Sequence, residues 1–184
     1  MDKKELLLIG GIPSVGKTTI ARRLSLDLGI ETIISGDDVK VITMNFISEE
    51  ESPYLYTNSY TAHEVENLSI IEAYLKHSRT INEQISKILD NMNDKVVVIE
   101  GVTVNNELFQ SLVDKGYKCY YFNLYLPEDL LIKRYKEKFT SEYDLEKQID
   151  IMMETSRFLL SQCENNINCS NYKNVLIKIE EMIM

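Results

Sequence analysis

Residues 11–18 read Gly11-Ile12-Pro13-Ser14-Val15-Gly16-Lys17-Thr18, which fits the pattern G-x-x-x-x-G-K-[ST] of a phosphate-binding loop. The apolar run 5–10 before it has the length of a strand, and residues 19–28 after it carry apolar side chains at helical spacing. Strand, loop and helix therefore come in the order that phosphate binding needs. Ordinary residue frequencies produce such a match in roughly 1% or fewer of chains of this length.

Each part of this loop has a role in binding a nucleoside triphosphate. The glycines let backbone N–H groups converge on an anion, and the helix that follows adds its positive N-terminal end. Lys17 can reach the β- and γ-phosphates, and the Thr18 hydroxyl can bind Mg²⁺. We therefore expect ATP and Mg²⁺ as cofactors. The residues predicted to bind the nucleotide are Gly11, Pro13, Ser14, Val15, Gly16, Lys17, Thr18 and Thr19.

The composition limits the kinds of partner. A chain of 184 residues is long enough for one domain with a substantial core. The net charge of −9 argues against a nucleic-acid partner, because nothing outside the loop forms a basic stripe. No apolar stretch approaches membrane-spanning length, and the three cysteines show no C-x-x-C spacing. We expect a cytoplasmic protein without nucleic-acid or membrane partners, and its oligomeric state stays open.

Helical and strand patterns alternate along the rest of the chain. Residues 95–101 form an unbroken β-branched run, which is typical of a central parallel strand buried on both faces. The other strands are expected at 31–35, 117–126 and 167–170. Helices are expected at 39–46, 62–76, 78–92, 106–115, 127–139, 145–162 and 173–183. This alternation predicts an α/β three-layer sandwich, with a central parallel sheet and helices on both faces.

Three of the predicted strands end in groups that can do chemistry at the carboxyl edge of the sheet, where ligands of such folds bind. The first strand leads into the loop, the second precedes Asp37 and the third ends in Glu100. Glu100 is predicted to bind Mg²⁺ together with Thr18 or to polarise the acceptor; alternatively it caps the following loop. Asp37 or Asp38 is predicted to orient or deprotonate the acceptor hydroxyl, and mechanism and register favour Asp37. The alternative is that these two carboxylates are helix caps.

Basic residues after the fourth predicted strand are candidates for a lid over about 133–145. A phosphate-transfer site needs a lid that excludes water when it closes and that brings cations next to the phosphates. Arg134 is the strongest candidate, because a guanidinium can hold two phosphate oxygens at once. A solvated helix face is the alternative interpretation. His63 and His77 have no partner that spacing would identify, and both are interpreted as surface or cap residues.

These residues resemble those of 2-phosphoglycerate kinase, a family of P-loop kinases. The resemblance covers residues 8–22 and continues in Ile-Ser-Gly-Asp at 34–37, Asn-Ser-Tyr-Thr-Ala at 58–62 and Val-Ile-Glu-Gly-Val at 98–102. It implies a P-loop kinase sheet with ATP and Mg²⁺, and an acceptor bound beneath a helical insert at about 45–78. The residues that it implies for acceptor binding are Asp37, Lys40, Ser59 and Tyr60.

The chain departs from the family pattern at several positions. Lys40 and Met44 stand where the family has an arginine, Thr103 where it has a histidine, and Lys138 where it has a second lid arginine. Arginine and lysine are not equivalent at bidentate phosphate sites. We expect an ATP-dependent kinase that transfers the γ-phosphoryl group to a small metabolite, with a phosphorylated acid as one candidate. The alternatives are a nucleoside or nucleotide kinase, or a nucleotide-binding regulatory protein without transfer activity.

Overall fold

A parallel β-sheet forms the centre of the computed structural model, which describes residues 4–138 and 145–183. Within those residues the sheet has five strands in the order β2-β3-β1-β4-β5, and every neighbouring pair is parallel. The strands are β1 (Glu5–Gly10), β2 (Thr32–Ser35), β3 (Val96–Glu100), β4 (Lys118–Tyr125) and β5 (Asn166–Asn168). The predicted α/β fold with a central parallel sheet is confirmed.

Helices connect the strands and cover both faces of the sheet. They are α1 (Lys17–Leu28), α2 (Gly36–Thr43), α3 (His63–Glu66), α4 (Ile70–Asn91), α5 (Asn106–Asp114), α6 (Glu128–Lys138), α7 (Leu145–Gln162) and α8 (Tyr172–Ile183), with a 3₁₀ turn at Pro53–Leu55. Most of these bounds lie within three residues of the predicted ones. None of the helices in the described parts of the chain is both long and apolar enough to cross a membrane.

The central strand β1 supplies both layers of the core. Successive side chains of a strand point to opposite faces. Leu7 and Ile9 accordingly pack in one cluster with buried residues of α1, α7 and α8. Leu6 and Leu8 pack in the other with residues of α4 and α5. All four are at most 2% exposed, and complete burial of such a side chain contributes roughly 1.5–3 kcal/mol to stability. The phosphate-binding loop therefore follows a strand that is buried on both faces of the sheet.

The prediction of two helices at 62–76 and 78–92 is wrong. The chain forms the short α3 and then one helix, α4, of 22 residues. Ser69 begins α4 with a capping box, since its hydroxyl accepts from the Glu72 N–H and the Glu72 carboxylate accepts from the Ser69 N–H. His77 and Ser78 lie in the interior of α4 and are buried. The polar pair therefore marks a buried face of α4, where the prediction had placed a break.

The start of α2 also differs from the prediction. Neither Asp37 nor Asp38 is its N-cap, because Ser35 holds that position and its Oγ accepts from the Asp38 N–H at 3.4 Å. The helix begins at Gly36, three residues before the predicted start. Both aspartates lie in its first turn, where the helix dipole stabilises carboxylates. Neither of them is needed as a cap.

Parts of the predicted insert and lid can be placed on this fold. The insert at about 45–78 comprises the 3₁₀ turn, α3 and the first turns of α4. Residues 133–138 of the predicted lid form the end of α6, and residue 145 begins α7. Residues 139–144 of the lid lie outside the described residues.

Candidate active site

The register of the sheet brings the three predicted strand ends together. Glu100 of β3 lies opposite Ile9 of β1 on one side and opposite Ser35 of β2 on the other. The Gly101 N–H donates to the Ile9 carbonyl at 3.2 Å, which continues the pairing by one residue. The loop after β1 and the helix after β2 therefore start on either side of the Glu100 side chain.

The backbone of the phosphate-binding loop needs its glycines. Gly11 has a φ of +132°, and a Cβ there would lie 2.4 Å from the Leu124 carbonyl oxygen. Gly16 has a φ of +103°, and Ser14 has a φ of +68°, which is uncommon outside glycine. Gly16 is the N-cap of α1 and makes no side-chain capping bond, so the first N–H groups of the helix remain for an anion.

Lys17 lies at the mouth of this loop as a buried cation. Its Nζ donates to the Ile12 carbonyl at 3.0 Å, and the residue is 8% exposed. Burial lowers the pKa of Lys17 to about 8, although the carboxylates of Glu100 and Asp37 act in the opposite direction. An ammonium group that has lost most of its water gains from any negative charge brought next to it. The buried position of Lys17 therefore favours the binding of a phosphate group beside it.

Thr18 and Glu100 form a pair of oxygen ligands beside Lys17. The Thr18 hydroxyl donates to Glu100 Oε1 at 3.0 Å. Glu100 is 5% exposed; burial raises its pKa, while the Lys17 charge and the Thr18 hydrogen bond oppose that rise. No group of three or more His, Cys, Asp or Glu side chains in residues 4–138 and 145–183 could hold a metal ion. Mg²⁺ is commonly bound through one or two protein oxygens with phosphates and waters, which this pair fits.

A polar cavity of about 420 Å³ opens in front of the loop. Eleven of the predicted site residues form its wall: Pro13, Ser14, Gly16, Lys17, Thr18, Thr19, Asp37, Lys40, Ser59, Tyr60 and Glu100. Gly11 and Val15 of the same loop are buried and do not line the cavity; Val15 is 1% exposed. Arg134 lies on the exposed side of α6 and does not line the cavity, whereas Lys138 of the same helix does. The predicted role of Arg134 stays a prediction.

The wall opposite the loop belongs to α2. Asp37 lines the cavity and Asp38 does not, and the predicted catalytic role of Asp37 stays a prediction. Lys40 is half-buried and its Nζ donates to the Thr57 carbonyl. Burial lowers the pKa of Lys40, and the Asp37 carboxylate opposes this. Lys40 thus joins α2 to the segment 54–60 and brings a positive charge next to Asp37.

The segment 54–60 separates into packing residues and cavity residues. Tyr54 is 7% exposed, and the Tyr56 hydroxyl lies 2.7 Å from the Ile47 carbonyl; neither residue lines the cavity. The turn that presents Ser59 and Tyr60 is held by Asn58, whose Oδ1 accepts from the Tyr60 N–H at 2.8 Å. Tyr60 therefore lines the cavity, whereas the other two tyrosines pack within the insert.

Sequence reasoning missed His77. The structure buries this residue in α4 as part of the cavity wall, so its interpretation as a surface or cap residue is wrong. Its Nδ1 lies 2.9 Å from the Tyr54 carbonyl oxygen, a contact across 23 positions of sequence. Burial lowers the pKa of His77. Local spacing in the sequence does not reveal such a contact. The apolar residues before and after His77 do share one helical periodicity, however, and this would have placed His77 inside a single helix.

The loop after β3 completes the wall with Val102 and Thr103. Two side chains of α4 hold this loop: the Tyr74 hydroxyl donates to the Val102 carbonyl at 2.9 Å, and Asn82 Nδ2 donates to the Thr103 carbonyl at 2.8 Å. Sequence reasoning did not single out Tyr74 or Asn82. Both side chains donate to backbone carbonyls of a loop that is distant in sequence, and a single sequence does not reveal such hydrogen bonds.

Sequence comparison relates the chain to several known proteins. The AAA domain family matches residues 7–156. The chain is 31% identical to an uncharacterized protein of Dictyostelium discoideum over 149 residues, which covers 75% of this chain and 17% of that protein. It is 32% identical to 2-phosphoglycerate kinase of Methanocaldococcus jannaschii over 102 residues, 52% of this chain and 33% of that protein. The match to 2-phosphoglycerate kinase of Methanococcus maripaludis has 25% identity and covers 88% of this chain and 58% of that protein.

The resemblance to 2-phosphoglycerate kinases is therefore confirmed, and the chain spans less than two thirds of the length of these relatives. Solved structures give the same fold. A gluconokinase from Sinorhizobium meliloti superposes with a TM-score of 0.59 at 11% identity, covering 100% of this chain and 97% of that one. A shikimate kinase from Bacteroides thetaiotaomicron gives 0.57 at 11% identity, covering 98% of each chain. At this identity the likeness shows a P-loop kinase fold.

Proposed function

This chain belongs to the AAA domain family of P-loop proteins, and from that premise we propose that it is an ATP-dependent kinase acting on a small anionic metabolite. The observation that carries the proposal is the grouping of Lys17, the Thr18–Glu100 pair and Asp37 around one cavity. Phosphoryl transfer needs a phosphate cradle, a metal site and a group that orients the acceptor. Each of these requirements has a residue at this cavity.

The residues of the loop fit a bound triphosphate. Ser14 Oγ is buried without a hydrogen-bond partner among the described residues, and the N-terminus of α1 has no side-chain cap. Phosphate oxygens would accept from these groups and from Lys17. Thr18 and Glu100 would hold Mg²⁺, which neutralises phosphate charge when bound. Glu100 would also keep the Thr18 hydroxyl oriented through their existing hydrogen bond.

Asp37 faces this cradle from α2 and is the group we assign to the acceptor. Its carboxylate can accept the proton of the acceptor hydroxyl as the new O–P bond forms. Lys40 and Lys138 also line the cavity, and Lys40 brings positive charge next to Asp37 on the acceptor side. A phosphorylated acid, of the kind that the related 2-phosphoglycerate kinases act on, suits this charge.

One observation bears on the nucleoside-kinase alternative. Recognition of a base commonly uses stacked aromatic side chains. Among the described residues Tyr60 is the one Phe, Tyr or Trp that lines the cavity, while Tyr54 and Tyr56 pack the insert. Tyr60 itself contacts the Tyr135 ring edge to face, with centroids 5.9 Å apart. This arrangement supports a small polar acceptor over a nucleoside.

The test is an ADP-release assay with ATP and Mg²⁺ against phosphorylated and non-phosphorylated hydroxy acids, sugars and nucleosides. We expect acceptor-dependent ADP formation with hydroxy acids, and phosphorus NMR of the mixture to show a new phosphate ester. Lys17→Ala should abolish the activity while its thermal unfolding stays cooperative. Tight ATP binding with no acceptor-dependent ADP across the whole panel would favour the regulatory-protein alternative.

A further inference from the structure

We propose that His77 presents an unprotonated Nε2 to the acceptor and thereby selects acids that carry a second hydrogen-bond donor besides the hydroxyl that is phosphorylated. This inference rests on the proposed function and narrows it to a substrate class. The contacts of His77 determine which ring nitrogen carries the hydrogen. Because His77 lines the cavity, the other nitrogen can accept a hydrogen bond from a ligand bound there.

The Nδ1 atom has two neighbours, and both can only accept from it. The Tyr54 carbonyl oxygen lies 2.9 Å away, and a carbonyl has no hydrogen to donate. Thr57 Oγ1 lies 3.4 Å away, and its single hydrogen is directed to the same Tyr54 carbonyl at 3.0 Å. The Thr57 oxygen therefore offers only lone pairs to His77. Both contacts require the hydrogen on Nδ1.

The surroundings of His77 keep the ring neutral. Burial lowers its pKa, and the nearby charge of Lys40 lowers it further, while the hydrogen bond to Tyr54 and the Asp37 carboxylate act in the opposite direction. A neutral imidazole with its hydrogen on Nδ1 has an acceptor lone pair on Nε2. No side chain or backbone group in the described parts of the chain donates to Nε2, and His77 is one of the residues that line the cavity.

The acceptor must satisfy two groups of the protein that both accept hydrogen. Asp37 takes the hydroxyl that is phosphorylated, and Nε2 of His77 needs a further O–H or N–H. A buried acceptor atom left without a donor costs binding free energy, so the site rejects ligands that lack one. Fully ionised 2-phosphoglycerate has a single hydroxyl and no other donor. Polyhydroxy acids, with or without a phosphate, meet both requirements.

The first test examines the ring itself and needs no turnover. The chain has two histidines, so nitrogen-15 NMR of the labelled protein together with a His63→Asn variant assigns the His77 ring signals. At pH 7 we expect a neutral ring with the hydrogen on Nδ1, and a shift of the Nε2 signal when a polyhydroxy acid is added. A hydrogen on Nε2, or a charged ring at pH 7, would overturn the proposal.

The second test compares two phosphorylated acids that differ in hydroxyl number, 2-phosphoglycerate with one and 4-phosphoerythronate with two. His77→Asn keeps an N–H for the Tyr54 carbonyl and removes Nε2. We expect it to raise the KM for 4-phosphoerythronate about tenfold and to lower the KM for 2-phosphoglycerate, because no acceptor atom is then left without a donor, while the KM for ATP stays within about twofold. His63→Asn is the matched control, since His63 does not line the cavity, and it should match the wild type.

Equal effects of His77→Asn on both acids, or no effect on either, would refute the selection of a second donor. If neither acid is phosphorylated, the proposed function fails by itself, and calorimetric binding of the two acids then decides this inference. Wild type should bind 4-phosphoerythronate about tenfold more tightly than His77→Asn does. Identical affinities in the two proteins would overturn it.

Discussion

Asp37 and Asp38 are neighbours in sequence with different surroundings. Asp37 lines the cavity, Asp38 does not, and Ser35 provides the cap that either might have supplied. Asp37→Asn should therefore lower kcat about 10²–10⁴-fold, because an amide cannot accept the proton of the acceptor hydroxyl. ATP affinity should change less than about twofold, since the loop residues that bind phosphate are unaltered. Steady-state kinetics and ATP titration measure the two effects.

The control for this substitution is Asp38→Asn, which makes the same chemical change one residue further along the same helix turn. We expect wild-type turnover and a loss of stability of at most about 1 kcal/mol, because the variant gives up only the interaction of a carboxylate with the helix dipole. If Asp38→Asn loses activity while Asp37→Asn keeps it, the proton acceptor has been assigned to the wrong carboxylate.

Lys17 gives a prediction about pH. In the free protein burial lowers its pKa to about 8, and bound phosphates would raise that pKa by favouring the charged form. Below pH 8 the lysine is already protonated and ATP affinity should be constant. Above pH 8 binding must take up a proton, so affinity should fall by up to about tenfold per pH unit. Calorimetry at several values between pH 7 and 9.5, with Mg²⁺ in excess, measures this dependence.

Lys17→Met provides the reference for the same titration. The variant lacks the titrating group and should bind ATP weakly at every pH, without the decline above pH 8. An ATP affinity of the wild type that stays constant up to pH 9.5 would show that Lys17 does not gain its proton on binding.

At the scale of elements, α4 is the helix that holds the loop after β3 in place. Asn82 is 7% exposed and donates to the Thr103 carbonyl at 2.8 Å, and Thr103 lines the cavity. Asn82→Ala should lower the free energy of unfolding by about 1–3 kcal/mol, because it leaves a buried carbonyl without its donor. It should also lower turnover, since the loop that follows Glu100 loses a support. Urea denaturation and steady-state kinetics measure both changes.

Glu83→Ala is the matched control on the same helix. Glu83 is exposed and pairs with Lys87 at 3.0 Å, an i, i+4 contact. Such pairs contribute about 0.3–0.5 kcal/mol, so stability should barely change and turnover should stay at the wild-type value. Equal losses in Asn82→Ala and Glu83→Ala would mean that the bond to Thr103 has no special role.

The elements also show what a single sequence can and cannot predict. The bounds of α7 at Leu145–Gln162 agree with the prediction, because its apolar periodicity is a local signal. The break predicted near residue 77 was wrong, because a buried polar residue looks like an exposed one until its partner is known. That partner is the Tyr54 carbonyl, which only the folded chain brings within 2.9 Å. Local patterns therefore predicted the helices better than they predicted the contacts that build the site.

At the scale of the whole molecule, the alternation of strands and helices was enough to predict the fold class and the edge of the sheet that carries the site. The loop, Asp37 and Glu100 meet there because parallel strands end on the same side. The strand order β2-β3-β1-β4-β5 was not predicted. It depends on how helices pack against the sheet, and that information is spread over residues far apart in the chain.

The distribution of charge gives the last prediction. The chain has a net charge of −9, yet Lys17, Lys40 and Lys138 gather at one cavity with two carboxylates, Asp37 and Glu100. Lys40 is the cation next to Asp37. Lys40→Met keeps most of the apolar stem and removes the charge, so the KM for an anionic acceptor should rise about tenfold while kcat and the KM for ATP stay nearly constant.

Ionic strength and a control lysine separate this local effect from a general one. Lys133 lies exposed on α6 and does not line the cavity, so Lys133→Met should leave the acceptor KM unchanged. Salt screens exposed charges over about 8–10 Å, whereas the half-buried Lys40 should keep its effect at 0.3 M salt. A phosphorylated acid that wild type and Lys40→Met turn over with the same KM would place the acceptor away from α2. Asp37 would then lose its role as well, because it faces the same part of the cavity.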